Sequence, residues 1–360
     1  MHPMLTRSTA HVPGARLALG ALAALAAFAT PGVARAQTAP TSTGYHVVRR
    51  IPLGGEGGWD YITVDTARNR VFIARSDRIV VVDAATGKSV GEITGLDRGH
   101  GVAFDYATNH GFATSGADSM VTMFDLTTLA VLKRTIAAVD DDAVLYDPAS
   151  KRVFTFNGDA NSATVIDPAT GARIGTIPLG GKPEFGVTNR AGRLYVNIAD
   201  KGEVVEVDPA AMKVLRRWSI HPCDDPSGLA IDVQHERLFS VCGNKLMAVS
   251  DTRRGAFVTS VPIGSGVDAA AYDPSTGDVF ASNGEGSLSV VHQDTPDKYH
   301  VVATVPTMPG ARTMALDLRS HRVYTAAART GPMPAATPGD TRRRRAPMIP
   351  GSFTLLVLER

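Results

Sequence analysis

Short stretches in which apolar and polar residues alternate recur along the chain, separated by turns rich in Gly, Asp and Pro. "YITVD" leads through the turn "TARN" to "RVFIA", and "RIVVVD" then leads through "AATGK" to "SVGEIT". Such alternation, with many β-branched residues, is typical of short β-strands. No segment after residue 36 shows a helical period over ten or more residues. The pattern therefore predicts an all-β chain built from units of four short strands.

This four-strand unit recurs seven times. In each copy one acidic or amide residue, here called the anchor, precedes a turn and a β-branched or aromatic strand; the anchors are Asp65, Asp105, Asp147, Asn189, Asp232, Asp273 and Asp317. Successive anchors are 40, 42, 42, 43, 41 and 44 residues apart. Repeats of about 40 to 45 residues with four strands each are typical of propeller blades. We predict one domain over residues 45–360, a seven-bladed β-propeller of four-stranded blades.

The two ends of the repeat region complement each other. The last unit reaches only its third strand, at "SFTLLVLER", before the sequence ends. Near the other end, "YHVVRRIPL" matches the outer-strand phrases "ARIGTIPLGG" and "AFVTSVPIGS". We therefore expect the amino-terminal strand to complete the carboxy-terminal blade. Such closure would protect the sheet edges that an open array exposes.

The first 36 residues have the features of an export signal. Arginines precede the apolar run "LALGALAALAAFA", and the small-residue site "ARA" ends at Ala36. We predict cleavage after Ala36, a short linker over residues 37–44, and a periplasmic or secreted protein. No later apolar run approaches the length of a membrane helix, so no span is expected after removal of the signal.

The charge of the remaining chain argues against nucleic acid as a partner. The whole sequence carries a formal charge of +2, and without the three arginines of the signal it has 34 basic against 35 acidic residues. A mildly acidic body does not favour a phosphate-tracking surface. The one basic run that could bind nucleic acid is Arg342, Arg343, Arg344 and Arg345. We expect a monomer.

The strand phrase "RLYVNIADKGEVVEVD" (Arg193 to Asp208) carries a family resemblance. It is similar to the phrase for which the YVTN-repeat, YncE-like group of bacterial, WD40-like seven-bladed propellers is named. The resemblance extends over nearly all of residues 45–360. It implies a periplasmic or secreted propeller and leaves the activity undefined, because one propeller scaffold hosts unrelated chemistry.

One repeat position varies in a way that suggests a binding site. Five residues before each anchor, the first strand of a blade enters the central channel of a propeller. We call this set the entry ring: Asp60, His100, Asp142, Glu184, Ser227, Asp268 and Arg312. Trp59, beside Asp60, adds an aromatic surface, although it could equally be a packing residue. The entry ring predicts a ligand site at the channel mouth, and solvated channel residues without a function are the alternative.

Crowded carboxylates need a cation among them, because otherwise they repel each other. The metal-ligand candidates are Asp60, Asp142, Glu184 and Asp268. Several carboxylate oxygens favour Ca²⁺ as the possible divalent ion, whereas one imidazole with carboxylates also admits Zn²⁺ or Mn²⁺. His100 and Arg312 could instead supply the balancing charge.

The sequence favours binding over catalysis. It contains no G-x-S-x-G, no P-loop and no H-E-x-x-H motif. The first hypothesis is an exported, non-catalytic propeller that binds a small ligand, a metal ion or a protein partner at the channel mouth. The alternative is a metal-assisted, lactonase-like hydrolase with His100, Glu184 and Arg312 as candidate catalytic residues. It departs from the gluconolactonase-like pattern, which uses a channel Asn.

Two further features concern the loops of the channel face. Cys223 and Cys242, nine residues before and ten residues after the anchor Asp232, are predicted to form a disulfide, as expected in an oxidising compartment. A metal or redox pair with His221 is the rival. Blade seven also carries a Pro- and Arg-rich insertion at about residues 328–352. This insertion is either a mobile loop without a function or a lid or docking strap whose guanidinium groups meet an anionic group.

Overall fold

Seven antiparallel sheets of four strands make up the fold, which was analysed as a computed structural model describing residues 44–333 and 346–360. The predicted signal, nearly all of the linker and the four-arginine run lie outside the described residues. The prediction of a seven-bladed β-propeller with four-stranded blades is confirmed. No helix in the described ranges is long and apolar enough to span a bilayer. The one helical element there is a 3-10 turn, Ala199–Lys201.

The blades follow one another along the chain. Blade one comprises β2 (Trp59–Asp65), β3 (Arg70–Arg75), β4 (Arg78–Asp83) and β5 (Ser89–Thr94), and blade two β6 (Gly99–Asp105), β7 (His110–Ser115), β8 (Met120–Asp125) and β9 (Val131–Ile136). Blade three comprises β10 (Asp141–Asp147), β11 (Arg152–Asn157), β12 (Ser162–Ile166) and β13 (Arg173–Pro178), and blade four β14 (Pro183–Thr188), β15 (Leu194–Ile198), β16 (Glu203–Asp208) and β17 (Lys213–Ser219). Blade five comprises β18 (Pro226–Asp232), β19 (Arg237–Cys242), β20 (Leu246–Asp251) and β21 (Ala256–Pro262), and blade six β22 (Val267–Asp273), β23 (Asp278–Asn283), β24 (Ser287–Thr295) and β25 (Lys298–Pro306).

Blade seven joins the two ends of the propeller. It comprises β26 (Met314–Asp317), β27 (Arg322–Ala327), β28 (Thr354–Glu359) and β1 (His46–Pro52). β1 pairs antiparallel with β28, with Arg50 opposite Leu356. The predicted ring closure is therefore confirmed, and the outer edge of the last blade comes from the amino-terminal strand.

The second strand of every blade contributes one buried aromatic residue to the core. These residues are at most 4% exposed: Phe72, Phe112, Phe154, Tyr195, Phe239, Phe280 and Tyr324. Full burial of such a side chain contributes about 1.5–3 kcal/mol. The repeated aromatic thus packs neighbouring blades together and fixes the first strands around the channel.

The anchors connect neighbouring blades as well as starting turns. Their carboxylates accept turn N–H groups, as Asp65 does from Arg68 at 3.0 Å. Several also accept a hydrogen bond from the next or preceding blade: Thr66 to Asp317 at 2.7 Å, Tyr106 to Asp65 at 3.1 Å and Thr188 to Asp147 at 2.5 Å. We call the face that carries the anchors the lower face, and the face where the first strands begin the upper face.

Two loop features belong to the upper end of the blades. The cysteines lie at disulfide distance, with 2.00 Å between the sulfurs of Cys223 and Cys242, as predicted. The described parts of the blade-seven insertion, 328–333 and 346–352, form a short antiparallel ribbon after β27. In it the Gly331 N–H donates to the Pro347 carbonyl, and the Ile349 N–H donates to the Arg329 carbonyl, both at 2.8 Å.

Candidate functional site

The entry-ring residues sit on irregular positions of the first strands. In each of the first six blades, the pairing of the first with the second strand skips at the entry-ring residue, as between Trp59 and Ile62 or between Val267 and Ala269. A bulge re-aims the side chain that it carries and increases the local twist. The repeat therefore turns one side chain per blade toward the upper mouth of the channel without breaking the sheet.

In three of these bulges, a side chain from the preceding blade of the ring donates a hydrogen bond to the backbone carbonyl of the entry-ring residue. Thr313 Oγ1 donates to the Asp60 carbonyl at 2.8 Å, and Thr114 Oγ1 donates to the Asp142 carbonyl. The Asn197 amide donates to the Ser227 carbonyl, also at 2.8 Å. Each bond crosses from one blade to the next, so the positions of the entry-ring residues are tied to the closure of the ring.

Three entry-ring residues converge into one cluster. His100 Nδ1 lies 2.5 Å from Asp60 Oδ2 and 3.3 Å from Asp142 Oδ1. The ligand atoms of these three residues all lie within 4.8 Å of one another. Blades one, two and three each contribute one residue. We call Asp60, His100 and Asp142 the three-residue cluster.

Arg312 links the cluster to the other side of the channel. Its Nε donates to Asp268 Oδ2 at 2.7 Å, while one terminal nitrogen donates to Asp60 Oδ1 at 3.3 Å. Asp60 therefore lies between an imidazole and a guanidinium. Glu184 is paired separately, with its Oε1 3.2 Å from Lys182 Nζ.

Two residues of the predicted site have other contacts. The Ser227 hydroxyl donates to the Val267 carbonyl at 3.3 Å and joins none of these ion pairs. The Trp59 ring packs beside Phe353, with the centroids 5.6 Å apart, although it also borders the upper cavity. Packing explains most of the surface of Trp59.

Burial and charge crowding shift the protonation of the entry ring. Burial raises the pKa of Asp142 well above its usual range, although the nearby His100 opposes the shift. Burial also raises the pKa of Asp268 to about 6 and that of Glu184 above its usual value. Burial alone would lower the pKa of His100, but the hydrogen bond to Asp60 and the charge of Asp142 outweigh it and raise the pKa. A bound cation would oppose the upward shifts of the pKa values of Asp142, Asp268 and Glu184, because it favours the charged form of each carboxyl group.

Sequence reasoning missed Arg98. Its Nε donates to His100 Nε2 at 3.1 Å, and its guanidinium pairs with Asp140. A cavity of about 230 Å³ opens beside these groups, with Asp60, Arg98, His100 and Arg312 in its wall. Its place in the sequence could have pointed to Arg98, since this residue stands two positions before the entry-ring residue His100. Asp141, by contrast, is fully buried, although it precedes Asp142 directly.

The loop that delivers Asp60 depends on a buried arginine, Arg75. This guanidinium is 1% exposed and donates to the carbonyls of Gly54, Glu56, Gly57 and Gly58 at 2.8–3.3 Å. It also stacks on Phe353 at 3.8 Å from the ring centroid. Arg75 therefore fixes the segment immediately before β2. The strand pattern around Arg75 did not predict this role.

Two aromatic residues narrow the channel below the entry ring. Tyr61 and Phe185 pack with their ring centroids 5.4 Å apart, and both line a narrow space of about 60 Å³. Above this pair lies the polar entry ring. Below it, a larger cavity of about 670 Å³ opens to the lower face. The molecule thus carries two chambers of different chemistry on one axis.

Comparisons with known proteins establish the fold and leave the activity open. No family model matches the chain, and no curated protein matches its sequence. Among solved structures, the chain is similar to Kuenenia stuttgartiensis hydrazine synthase, with a TM-score of 0.67 and 16% sequence identity. The match covers 82% of this chain and 96% of that one. At this identity the likeness shows the propeller fold alone.

Proposed function

We propose that this protein is an exported, non-catalytic binding propeller of the YVTN-repeat type that holds a divalent cation at its upper channel mouth. The observation that carries the proposal is the three-residue cluster, whose ligand atoms lie within 4.8 Å of one another. The disulfide and the predicted signal support an oxidising compartment. The repeat phrases support the family.

The chemistry of the cluster favours a borderline metal ion over Ca²⁺. Imidazole nitrogen together with carboxylate oxygen suits Zn²⁺ or Mn²⁺, whereas Ca²⁺ takes oxygen ligands only. Binding through His100 Nδ1, which lies 2.5 Å from Asp60 Oδ2, requires this nitrogen to carry no proton. Asp142 Oδ1, buried and without a hydrogen-bond partner in the described chain, is a ready third ligand.

A small anionic ligand completes the proposal. Arg98 and Arg312 reach the 230 Å³ cavity beside the cluster, and a bound cation would add further positive charge there. Guanidinium groups and a metal ion together suit a carboxylate or a phosphate group. The cluster would then act as the recognition element for the ligand and not only as a structural ion site.

A lactonase-like hydrolase is the second candidate. Glu184 favours it, because burial raises the pKa of this carboxyl and the residue lies outside the three-residue cluster. A carboxyl with a raised pKa can carry a proton to or from a substrate that a metal ion polarises. His100 would then be a metal ligand instead of the acid or base.

Elemental analysis tests the proposal. The parent protein, purified from the periplasm without chelator and titrated with Zn²⁺ and Mn²⁺, is expected to hold about one equivalent. Asp142→Asn should lose it, while Asp268→Asn, the matched change at an entry-ring position outside the cluster, should keep it. Failure of the parent to bind either ion, or equal loss in both variants, would overturn the metal site. Turnover of lactones by the metal-loaded parent would favour the hydrolase.

A further inference from the structure

The lower chamber has the size and lining of a small-molecule site. We call it the lower funnel: the cavity of about 670 Å³ below Tyr61 and Phe185, open on the anchor face. Its wall is mostly apolar, with residues such as Val144, Leu145 and Leu316. Small-molecule sites commonly measure about 300–1,000 Å³ and combine apolar walls with a few polar groups.

The repeat explains the composition of the rim. The residue directly after each anchor faces the lower opening in five blades, and these five are Thr66, Tyr106, Pro148, Arg190 and Leu318. Tyr106 and Leu318 are 49% and 54% exposed and stand at the opening of the apolar wall. The lower rim thus uses a second fixed repeat position, and in contrast to the entry ring its five residues include no carboxylate.

Arg190 is the one charged residue in the wall of the lower funnel. Within the described residues its guanidinium has no ion pair or hydrogen bond, whereas Arg68, on the same face, pairs with Asp65 at 3.5 Å. The anchor of its own blade is the neutral Asn189, so the carboxylate that the other six blades carry is missing beside Arg190. The Arg190 backbone is fixed by a 2.8 Å bond to Thr188 Oγ1.

The other polar side chains of the wall are already engaged, among them the Tyr146 hydroxyl, which bonds to the anchor Asp105. The Thr63 hydroxyl donates to the Val102 carbonyl at 3.0 Å, and the Tyr272 hydroxyl donates to Gln293 Oε1 at 2.8 Å. Thr66 and Tyr106 donate to anchors of adjoining blades. The guanidinium of Arg190 therefore offers the free donors of the lower funnel, and its charge matches an anion.

We propose that the lower funnel binds a small amphipathic carboxylate, with its apolar chain in the channel and its carboxylate on Arg190. The apolar wall contributes affinity in proportion to the area buried, and the guanidinium selects the acid over a neutral analogue. This site is separate from the entry ring and does not depend on a metal ion.

Calorimetric titration with nonanoate and with nonan-1-ol, in the presence of chelator, tests this proposal. The parent should bind nonanoate at one site and more tightly than the alcohol. Arg190→Gln should weaken nonanoate binding about tenfold, as expected for loss of one charge-assisted contact, and change alcohol binding less than about twofold. Arg319→Gln, which removes an exposed charge on the same face outside the funnel wall, is the matched control.

A second variant tests the location of the chain. Ala271→Phe should fill the funnel and abolish binding of both compounds, with an unchanged circular dichroism spectrum as the check on folding. Absence of saturable nonanoate binding by the parent, or equal weakening by Arg190→Gln and Arg319→Gln, would overturn the proposal. Unchanged nonanoate binding by Asp142→Asn is expected, which distinguishes failure at this site from failure of the metal site.

Discussion

The ionisation of Asp268 should destabilise the folded protein, and Asp268→Asn should remove that effect. The carboxyl lies in the entry ring, 2.7 Å from the Nε of Arg312. Burial raises its pKa from 3.8 to about 6, although the charge of Arg312 opposes the shift. The folded state therefore holds this proton more tightly than the unfolded chain does. In the asparagine variant no proton is gained or lost at this position.

The magnitude follows from linkage. A pKa of about 6 in the folded state, against 3.8 in the unfolded chain, corresponds to about 3 kcal/mol, because one pKa unit is worth about 1.4 kcal/mol. Between these two values the folded state binds more protons, so the free energy of unfolding falls as the pH rises. Below pH 3.8 the effect vanishes, and above about pH 6 it is complete. At pH 4 the unfolded carboxyl is already partly ionised, so relative to Asp268→Asn the parent should lose about 2 kcal/mol of this total from pH 4 to pH 7.5.

Urea unfolding followed by the fluorescence of the two tryptophans, with chelator present, measures this difference at both pH values. At pH 4 the protonated carboxyl, like the asparagine of the variant, makes no ion pair with Arg312. The difference in stability between the two proteins at pH 4 is therefore the baseline for their comparison at pH 7.5. Ser227→Ala, a change at an entry-ring position without a titratable group, should follow the parent at both pH values. A difference below about 1 kcal/mol, or a parent that gains stability relative to Asp268→Asn as pH rises, would refute the reasoning.

Two further predictions concern the scaffold. The double variant Cys223→Ser, Cys242→Ser opens a disulfide loop with a sequence separation of 19. The free energy of unfolding, measured by chemical denaturation, should therefore fall by about 3 kcal/mol. An unchanged value, or a parent protein whose stability does not respond to reductant, would contradict this prediction. Gly228→Ala places a Cβ 2.6 Å from the Ala269 Cα, which is backbone and cannot move aside, so we expect a loss of at least about 3 kcal/mol or no folded protein. Gly58→Ala, where the nearest atom is 3.6 Å away, should be tolerated, and equal stability of the two variants would show that the blade contact is softer than described.

The fold could be predicted because every local signal agreed. Strand alternation, turn residues and the spacing of the anchors all repeat seven times, and errors in single blades average out over such a repeat. Ring closure followed from an outer-strand phrase, "YHVVRRIPL", found before the first blade. The disulfide followed from the antiparallel pairing of β18 with β19, which brings the ends of those strands together.

The chemistry of the upper site was only half predictable. Position in the repeat identified which residues enter the channel, but which of them meet depends on side-chain reach across it. His100 contacts residues of both neighbouring blades, whereas Ser227 bonds to backbone. Arg75 reads as an ordinary strand residue, although it fixes the loop before Asp60. Contacts of this kind depend on rotamers and loop paths that no repeat pattern encodes.

The lower funnel is hidden in the sequence for a different reason. Polar residues mark the entry ring, five residues before each anchor, as a variable position. The position directly after the anchor varies just as much, but residues such as Tyr106 and Leu318 look like core or turn residues in a strand pattern. In a closed ring both positions face the channel, one at each mouth. A single exposed apolar residue carries little information, so this position becomes informative only when the ring brings several such residues to one cavity, with Arg190 among them.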